Sequence, residues 1–223
     1  MYKIKEIVNH KVYYSDKVPA EHFFTTRSLI VKENIDIIAN YFNISRENII
    51  HPHQIHSDNI EYVTDKKEYP DCDALILNKR NYAIYLNFAD CTPVILYDKK
   101  QNIAAISHAG WRGTALKIAP KTVKKMNSNP VDIIALIGPC ISFNCFETYD
   151  EAILQLKNSV TDTKGLFKGN YADLKEINKR QLEEIGVREF DIIPFCTVLD
   201  NDKFFSYRKE NKTKLRHSAV VKL

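Results

Sequence analysis

The sequence predicts an α+β fold: a single domain over residues 1–223 in which a mixed or antiparallel β-sheet core is flanked by helices. Two patterns carry this expectation. Short apolar runs broken by polar turns crowd residues 47–107, which is the signature of closely spaced strands. Segments with helical spacing lie on either side of that stretch, without the strict strand-helix alternation of a parallel α/β protein. A chain of 223 residues with 44% hydrophobic content can build one generous core, and no repeat, low-complexity tract or linker divides it.

Taken in order, residues up to Thr26 read as short strands, and residues 30–42 read as a helix from the spacing of Ile30, Ile37, Ile38 and Tyr41. Strands follow at 49–50, 60–63, 74–77, 82–88, 93–97 and 103–107. A helix is expected after Gly113, with Thr114 as its cap, running to Met126. Pro120 inside it should kink it or shift its start. Residues 133–137 and 190–195 read as strands, and 149–157 and 174–185 as helices, the second closed by Gly186.

Composition excludes several classes. Charged residues make up 27% of the chain, and no apolar run approaches the roughly 18 residues that span a bilayer. The start, Met1-Tyr2-Lys3-Ile4-Lys5, lacks a signal peptide's apolar stretch, so a soluble, cytoplasmic protein is expected. Five scattered cysteines suit reduced thiols or metal ligands better than a disulfide framework. The net charge of +4 is mild, and the stretch from Lys203 to Lys222 reads as a solvated basic tail in which one or two arginines bind an anion. Nucleic acid is not an expected partner, because a broad basic patch with stacking aromatics is missing from the sequence pattern.

Three metal-ligating residue types each follow an apolar run: His56, Cys91 and His108. Strand ends converge readily in one cleft, and two imidazoles with one thiolate suit zinc, or copper in a reducing compartment. Three protein ligands leave a coordination position open for catalysis. A buried cysteine beside two hydrogen-bonded histidines is the structural alternative, and a Cys91 nucleophile with His108 as its base is the rival chemistry. Asp90 is a candidate to orient a ligating imidazole, and Arg112 to bind an anionic substrate. Glu147 and Asp173 are further acidic candidates. His51 and His53 read as exposed, while His10, His22 and His217 lack companion ligands.

The segments Gln54-Ile55-His56-Ser57, Ala89-Asp90-Cys91-Thr92-Pro93 and His108-Ala109-Gly110-Trp111-Arg112-Gly113-Thr114 together resemble the YfiH/YlmD family of laccase-domain purine nucleoside phosphorylases. Thr25-Thr26-Arg27, Ile137-Gly138-Pro139-Cys140-Ile141 with Phe146-Glu147, Asp173-Leu174 with Asn178 and Gln181-Leu182, and Phe204-Phe205-Ser206-Tyr207-Arg208 extend the likeness over almost the whole chain.

The resemblance implies a single domain of the YfiH or CNF-like kind, with one zinc held by His56, Cys91 and His108. It implies phosphorolysis of adenosine, inosine and methylthioadenosine to free base and ribose 1-phosphate, with deamination of adenosine beside it. Small-molecule nucleosides and phosphate are then the partners of a monomer or homodimer. Arg27, Arg112 and Arg208 are the candidates to hold phosphate. Older descriptions make the family copper-dependent polyphenol oxidases, but a multicopper oxidase consumes far more imidazoles than this chain's seven histidines supply, and only Met1 and Met126 are available as axial ligands. A metal-stabilised interaction domain is the non-enzymatic alternative, and it requires a fourth ligand such as Cys72 or Cys145. The chain departs from the family after Arg27, where Ser28-Leu29-Ile30 runs on without a Gly-rich turn, and again at Pro120.

Overall fold

A computed structural model describes residues 2–66 and 68–223. Strands β1 (Tyr2–Ile7), β2 (His10–Ser15) and β3 (Glu21–Thr25) come first, followed by helix α1 (Ile35–Phe42). Six strands then run almost consecutively: β4 (Ile49–Ile50), β5 (Ile60–Tyr62), β6 (Ala74–Leu77), β7 (Ala83–Phe88), β8 (Thr92–Asp98) and β9 (Ile103–Ala109). Helices α2 (Trp111–Ala115) and α3 (Ile118–Lys125) precede β10 (Ile133–Ile137) and α4 (Asp150–Asn158). A small hairpin of β11 (Phe167–Lys168) and β12 (Tyr171–Ala172), helix α5 (Leu174–Glu184), β13 (Glu189–Ile192) and β14 (His217–Lys222) complete the order.

The expected α+β class is correct, but the strands form two six-stranded mixed sheets instead of one. The first runs β1-β2-β3-β14-β7-β4 and the second β13-β10-β8-β9-β6-β5. Pairing is antiparallel except at β4/β7, β5/β6 and β10/β13. The continuous apolar runs explain the doubling, because the central strands such as β6, β8 and β10 are buried on both faces. In β7, Ile84, Leu86 and Phe88 point into the layer between the sheets, while Ala83 and Tyr85 face α1. In β8, Ile95 and Tyr97 face the other sheet, while Val94 and Leu96 pack against α3 and α5. The result is four layers, helix on sheet on sheet on helix. Fully buried rings such as Phe23, Phe24 and Phe88 each contribute on the order of 2–3 kcal/mol of burial.

Local corrections follow from backbone chemistry. Helix α1 begins at Ile35 because residues 30–34 form turns, closed by the Asn34 side-chain amide donating to the Ile30 carbonyl at 2.9 Å. The helix expected after Gly113 is two helices: Gly110 precedes the first, Thr114 lies within it, and Lys117 in the left-handed region (φ 59°) breaks the chain before α3. Pro120 sits in the first turn of α3, where no intrahelical donor is lost. Gly138 is required by close approach: a Cβ there would lie 2.3 Å from the Phe24 ring and 2.7 Å from Pro93. Among the described residues no helix is long and apolar enough to cross a membrane.

The reading of the basic 203–222 stretch as a solvated tail is overturned. Its end is β14, buried from His217 to Val221 and paired with both β3 and β7 in the middle of the first sheet. His217 lies edge-on to Phe204 and tilted against Phe88, and among the described residues neither ring nitrogen meets a hydrogen-bond partner. Burial, reinforced by the Arg216 and Arg27 charges, pushes its pKa down to about 3. The folded state therefore keeps His217 neutral where the unfolded chain takes up a proton, so stability present above pH ~6.5 is lost as pH falls toward 3. At pH 4.5 the penalty reaches about 3 kcal/mol, because each pH step below the unfolded value adds ~1.4 kcal/mol. Thermal melts of a His217→Leu variant between pH 4.5 and 7.5 should show a smaller loss of Tm on acidification than the parent, and parallel curves would contradict this.

Candidate metal centre

The ends of both sheets meet where the three ligand candidates lie. His56 is in the loop between β4 and β5, Cys91 in the turn between β7 and β8, and His108 near the end of β9, opposite Pro93 of β8. Their donor atoms all fall within 4.8 Å of one another, and the two imidazole rings meet edge-on with centroids 4.8 Å apart. His108 is buried, Cys91 half-buried and His56 exposed, so the group opens to solvent on the His56 side. The backbone bends sharply there: His56 (φ 65°) and Asp90 (φ 85°), next to Cys91, both occupy the left-handed region, uncommon for residues other than glycine. Gly110 packs against the same group, and a Cβ on it would stand 2.9 Å from the Cys91 sulfur and 3.2 Å from the His56 ring.

The carboxylate that orients this centre is Asp73, not Asp90. Asp73 is fully buried, and its Oδ1 accepts from His108 Nδ1 at 2.7 Å. That contact fixes the tautomer and leaves Nε2 as the atom free to take a metal. The same carboxylate accepts from the backbone N–H groups of Ile55, His56 and Ser57 at 3.1, 3.0 and 2.7 Å, and from the Ser57 hydroxyl at 2.8 Å. One side chain thus shapes the loop carrying His56 and holds the ring of His108. Burial alone would raise the Asp73 pKa, but the His108 contact and the Ser57 donors bring it down to about 2. Burial would likewise raise the Cys91 thiol, yet the His108 charge and hydrogen bonds from both imidazoles lower it. His108 responds in the opposite sense: the Cys91 charge and Asp73 raise it against the pull of burial. The thiolate form is the metal-binding form.

Asp90 serves elsewhere. Its Oδ1 accepts from the Thr197 hydroxyl at 2.6 Å and its Oδ2 from the Arg208 backbone N–H at 2.7 Å. Asp173 caps α5 by accepting from the Glu176 N–H at 3.0 Å. Glu147 accepts from the Tyr171 hydroxyl, and its carbonyl takes Arg208 Nη2 at 2.8 Å. Asn178 and Gln181 of α5 donate to the Thr114 hydroxyl and carbonyl, each at 2.9 Å, and so pin α2 and the Trp111-Arg112 pair it carries.

A cleft of about 760 Å³ surrounds the three donors. Arg112 and Arg208 line it; Arg27 does not. The Arg27 guanidinium is taken up by the 201–210 loop, where Nη1 donates to Glu210 at 2.7 Å and to the Asn201 carbonyl at 3.0 Å, over the Phe205 ring. Phosphate binding by Arg27 is therefore a correction to the sequence reading. His51 and His53 are exposed on the cleft rim as expected, and His53 lies 3.8 Å from Asp71. A neighbouring groove of about 800 Å³ shares these two histidines but includes none of the three donors. Cys72 and Cys145 do not join the centre: the Cys72 thiol donates to the Ala74 carbonyl at 3.0 Å, and Cys145, a free thiol, interacts with the free thiol of Cys196. The donor set, one soft thiolate and two imidazoles, fits a zinc or copper ion.

Two substitutions test this geometry. Asp73→Asn removes the charge that holds His108 and the 55–57 loop, and elemental analysis should find metal affinity lowered 10- to 100-fold. Gly110→Ala forces a methyl group against Cys91 and His56, and should likewise lower metal content while the far-UV CD spectrum stays that of the parent. Full metal occupancy in both variants would contradict the arrangement.

Comparison with known proteins agrees with the fold and the motifs. Residues 24–223 match the family model described as multi-copper polyphenol oxidoreductase laccase. A purine nucleoside phosphorylase of Clostridium acetobutylicum is 34% identical over 195 residues, covering 85% of this chain and 82% of that protein. The adenosine deaminase RL5, from an unknown prokaryotic organism, is 30% identical over 193 residues, covering 77% of this chain and 74% of its own. The crystal structure of a YfiH protein from Bacillus licheniformis superposes with a TM-score of 0.83 at 27% identity, over 91% of this chain and 92% of that one. With its motifs in order and its fold shared, the chain belongs to the YfiH/YlmD family, whose family model bears the laccase name.

Proposed function

We propose that this protein is a zinc-dependent purine nucleoside phosphorylase, converting adenosine, inosine or methylthioadenosine to the free base and ribose 1-phosphate, and that it also deaminates adenosine. The observation that carries the reading is a three-donor metal centre, open on one side, inside a cleft lined by arginines. The names of the relatives, phosphorylase and deaminase, support the substrate class.

Zinc held by His56, Cys91 and His108 would supply a Lewis acid and lower the pKa of water toward ~7. The chain's own groups do the remaining work. Asp73 keeps His108 Nδ1 protonated and its Nε2 turned to the centre. Trp111, Ile141 and Phe146 form an apolar wall suited to a flat purine, with Trp111 set edge-on to Tyr149. Arg208 is fixed at its backbone by Asp90 and at its guanidinium by the carbonyls of Cys145 and Glu147, 6.0 Å from the Phe146 ring centroid. Arg112 lies 4.3 Å over Trp111. Both arginines lie beside the wall that would take the base, where a guanidinium would balance the charge that builds on the departing purine.

Copper-dependent phenol oxidation is the second reading, favoured by the description of the family model. Against it stands the donor supply, since Met126 is buried against α3 and α5 and so is no axial ligand at the cleft. A structural zinc in an interaction domain would need the fourth ligand that Cys72 and Cys145 do not provide.

The test is direct. Metal-quantified protein incubated with inosine should release hypoxanthine only when phosphate is present, and with adenosine should yield adenine with phosphate and inosine without it. Chelation or Cys91→Ser should reduce all products at least 100-fold. No purine product under any condition would refute the proposal, and oxidation of a phenol by the copper-loaded protein alone would establish the second reading.

A further inference from the structure

Arg112 and Arg208 are not the only cations at the cleft. Lys32, Lys214 and Arg216 line it as well, and among the described residues none of the three meets a carboxylate. They come from one corner of the first sheet. Lys32 follows β3, Lys214 and Arg216 precede β14, and the end of β3 lies beside the start of β14, where Ser218 N–H donates to the Thr25 hydroxyl at 2.8 Å. The start of β14 also pairs with the end of β7, His217 opposite Phe88, two residues before Asp90. This corner therefore abuts the metal centre.

The apolar wall comes from the other sheet. Trp111 follows β9, while Ile141 and Phe146 follow β10. Tyr207 and Arg208 divide the two sides between them. The Arg208 guanidinium lies 6.0 Å from the Phe146 ring centroid, and the Arg216 guanidinium lies 5.9 Å from the Tyr207 ring. Arg216 is partly buried and uses Nη1 on the carbonyls of Thr213 and Leu215, at 2.6 and 2.8 Å, which orients the guanidinium and leaves Nε and Nη2 for a ligand. Bidentate geometry of that kind matches a phosphate.

We propose that Arg216, with Lys214 and Lys32, is the subsite for inorganic phosphate, across the cleft from the wall that receives the base. The assignment rests on the phosphorylase reading above and gives it a direction. A phosphate oxygen forms a bond to the ribose C1′ as the C1′–N9 bond breaks, and its electron pair leaves with the base. The proton of HPO₄²⁻ ends on the departing base nitrogen, so the products are ribose 1-phosphate dianion and neutral purine. Attack and departure occur on opposite faces of the sugar, which requires the cations and the aromatic wall to face each other.

The test separates binding from turnover. Inorganic phosphate is titrated calorimetrically into the metal-loaded protein without nucleoside, for the parent, Arg216→Ala, Arg216→Lys and the exposed pair Lys32→Ala/Lys214→Ala. Phosphate affinity should fall at least tenfold in Arg216→Ala and in the double variant, with partial recovery in Arg216→Lys. In steady state the KM for phosphate should rise in the same order, with the nucleoside KM moving less than twofold. Parent-like phosphate affinity in Arg216→Ala and in the double variant would overturn the subsite, whatever the activity. Should Arg216→Ala fail to fold, the double variant alone decides. Loss of phosphate binding in a protein that turns over no nucleoside would uphold the subsite and sink the phosphorylase reading instead.

Discussion

The buried Asp73 carboxylate is the constraint on which the centre depends. Its two oxygens accept five hydrogen bonds, from one imidazole, three backbone N–H groups and one hydroxyl. An isolated charge at that depth would cost several kcal/mol in desolvation, so the donors around it are a condition of folding as much as of function. Because the same anion satisfies the loop of His56 and the ring of His108, two candidate ligands from different segments cannot drift apart without exposing it. Affinity for a metal at this centre would therefore be coupled to local stability through one side chain.

The two sheets supply what a carboxylate cannot. Short strands buried on both faces leave little freedom to their ends, and the ends of β3, β7 and β9, with the starts of β6, β8 and β14, collect on one side. Residues placed just beyond a strand inherit its rigidity, which is why left-handed conformations at His56 and Asp90 persist. The helices brace the cleft from outside: α5 grips α2 through Asn178 and Gln181, and α2 presents Trp111 and Arg112. Several of the motif residues that mark the family are thus braces for the residues that touch the cleft.

Much of this was legible in the sequence, and the failures have physical reasons. Apolar runs located the strands of residues 49–107 closely, since period and turn residues agree there. The same runs, apolar on both faces, hid the division into two sheets. His56, Cys91 and His108 were visible because each follows a run. Asp73 was missed because it precedes one: β6 is antiparallel to β9, so the residue before Ala74 stands beside His108, a neighbour that only the register discloses. Asp90, closest in sequence, was the wrong choice for that reason. Arg216 and Lys214 were absorbed into an apparent basic tail, because the apolar residues of β14 are few and flanked by charge. Arg27 was misplaced because nothing local signals that Glu210, far along the chain, claims it.

The central position of β14 has a consequence for assembly. Its partners β3 and β7 lie about 195 and 130 residues earlier in the chain, as in the pairs Ala219–Phe24 and His217–Phe88. Without that strand the first sheet would be a three-stranded meander and a separate β4/β7 pair, each with an open edge. Such edges invite pairing with other chains. Closing the first sheet and completing the cleft therefore depend on one segment, the strand that follows Arg216, which also covers the edges of β3 and β7.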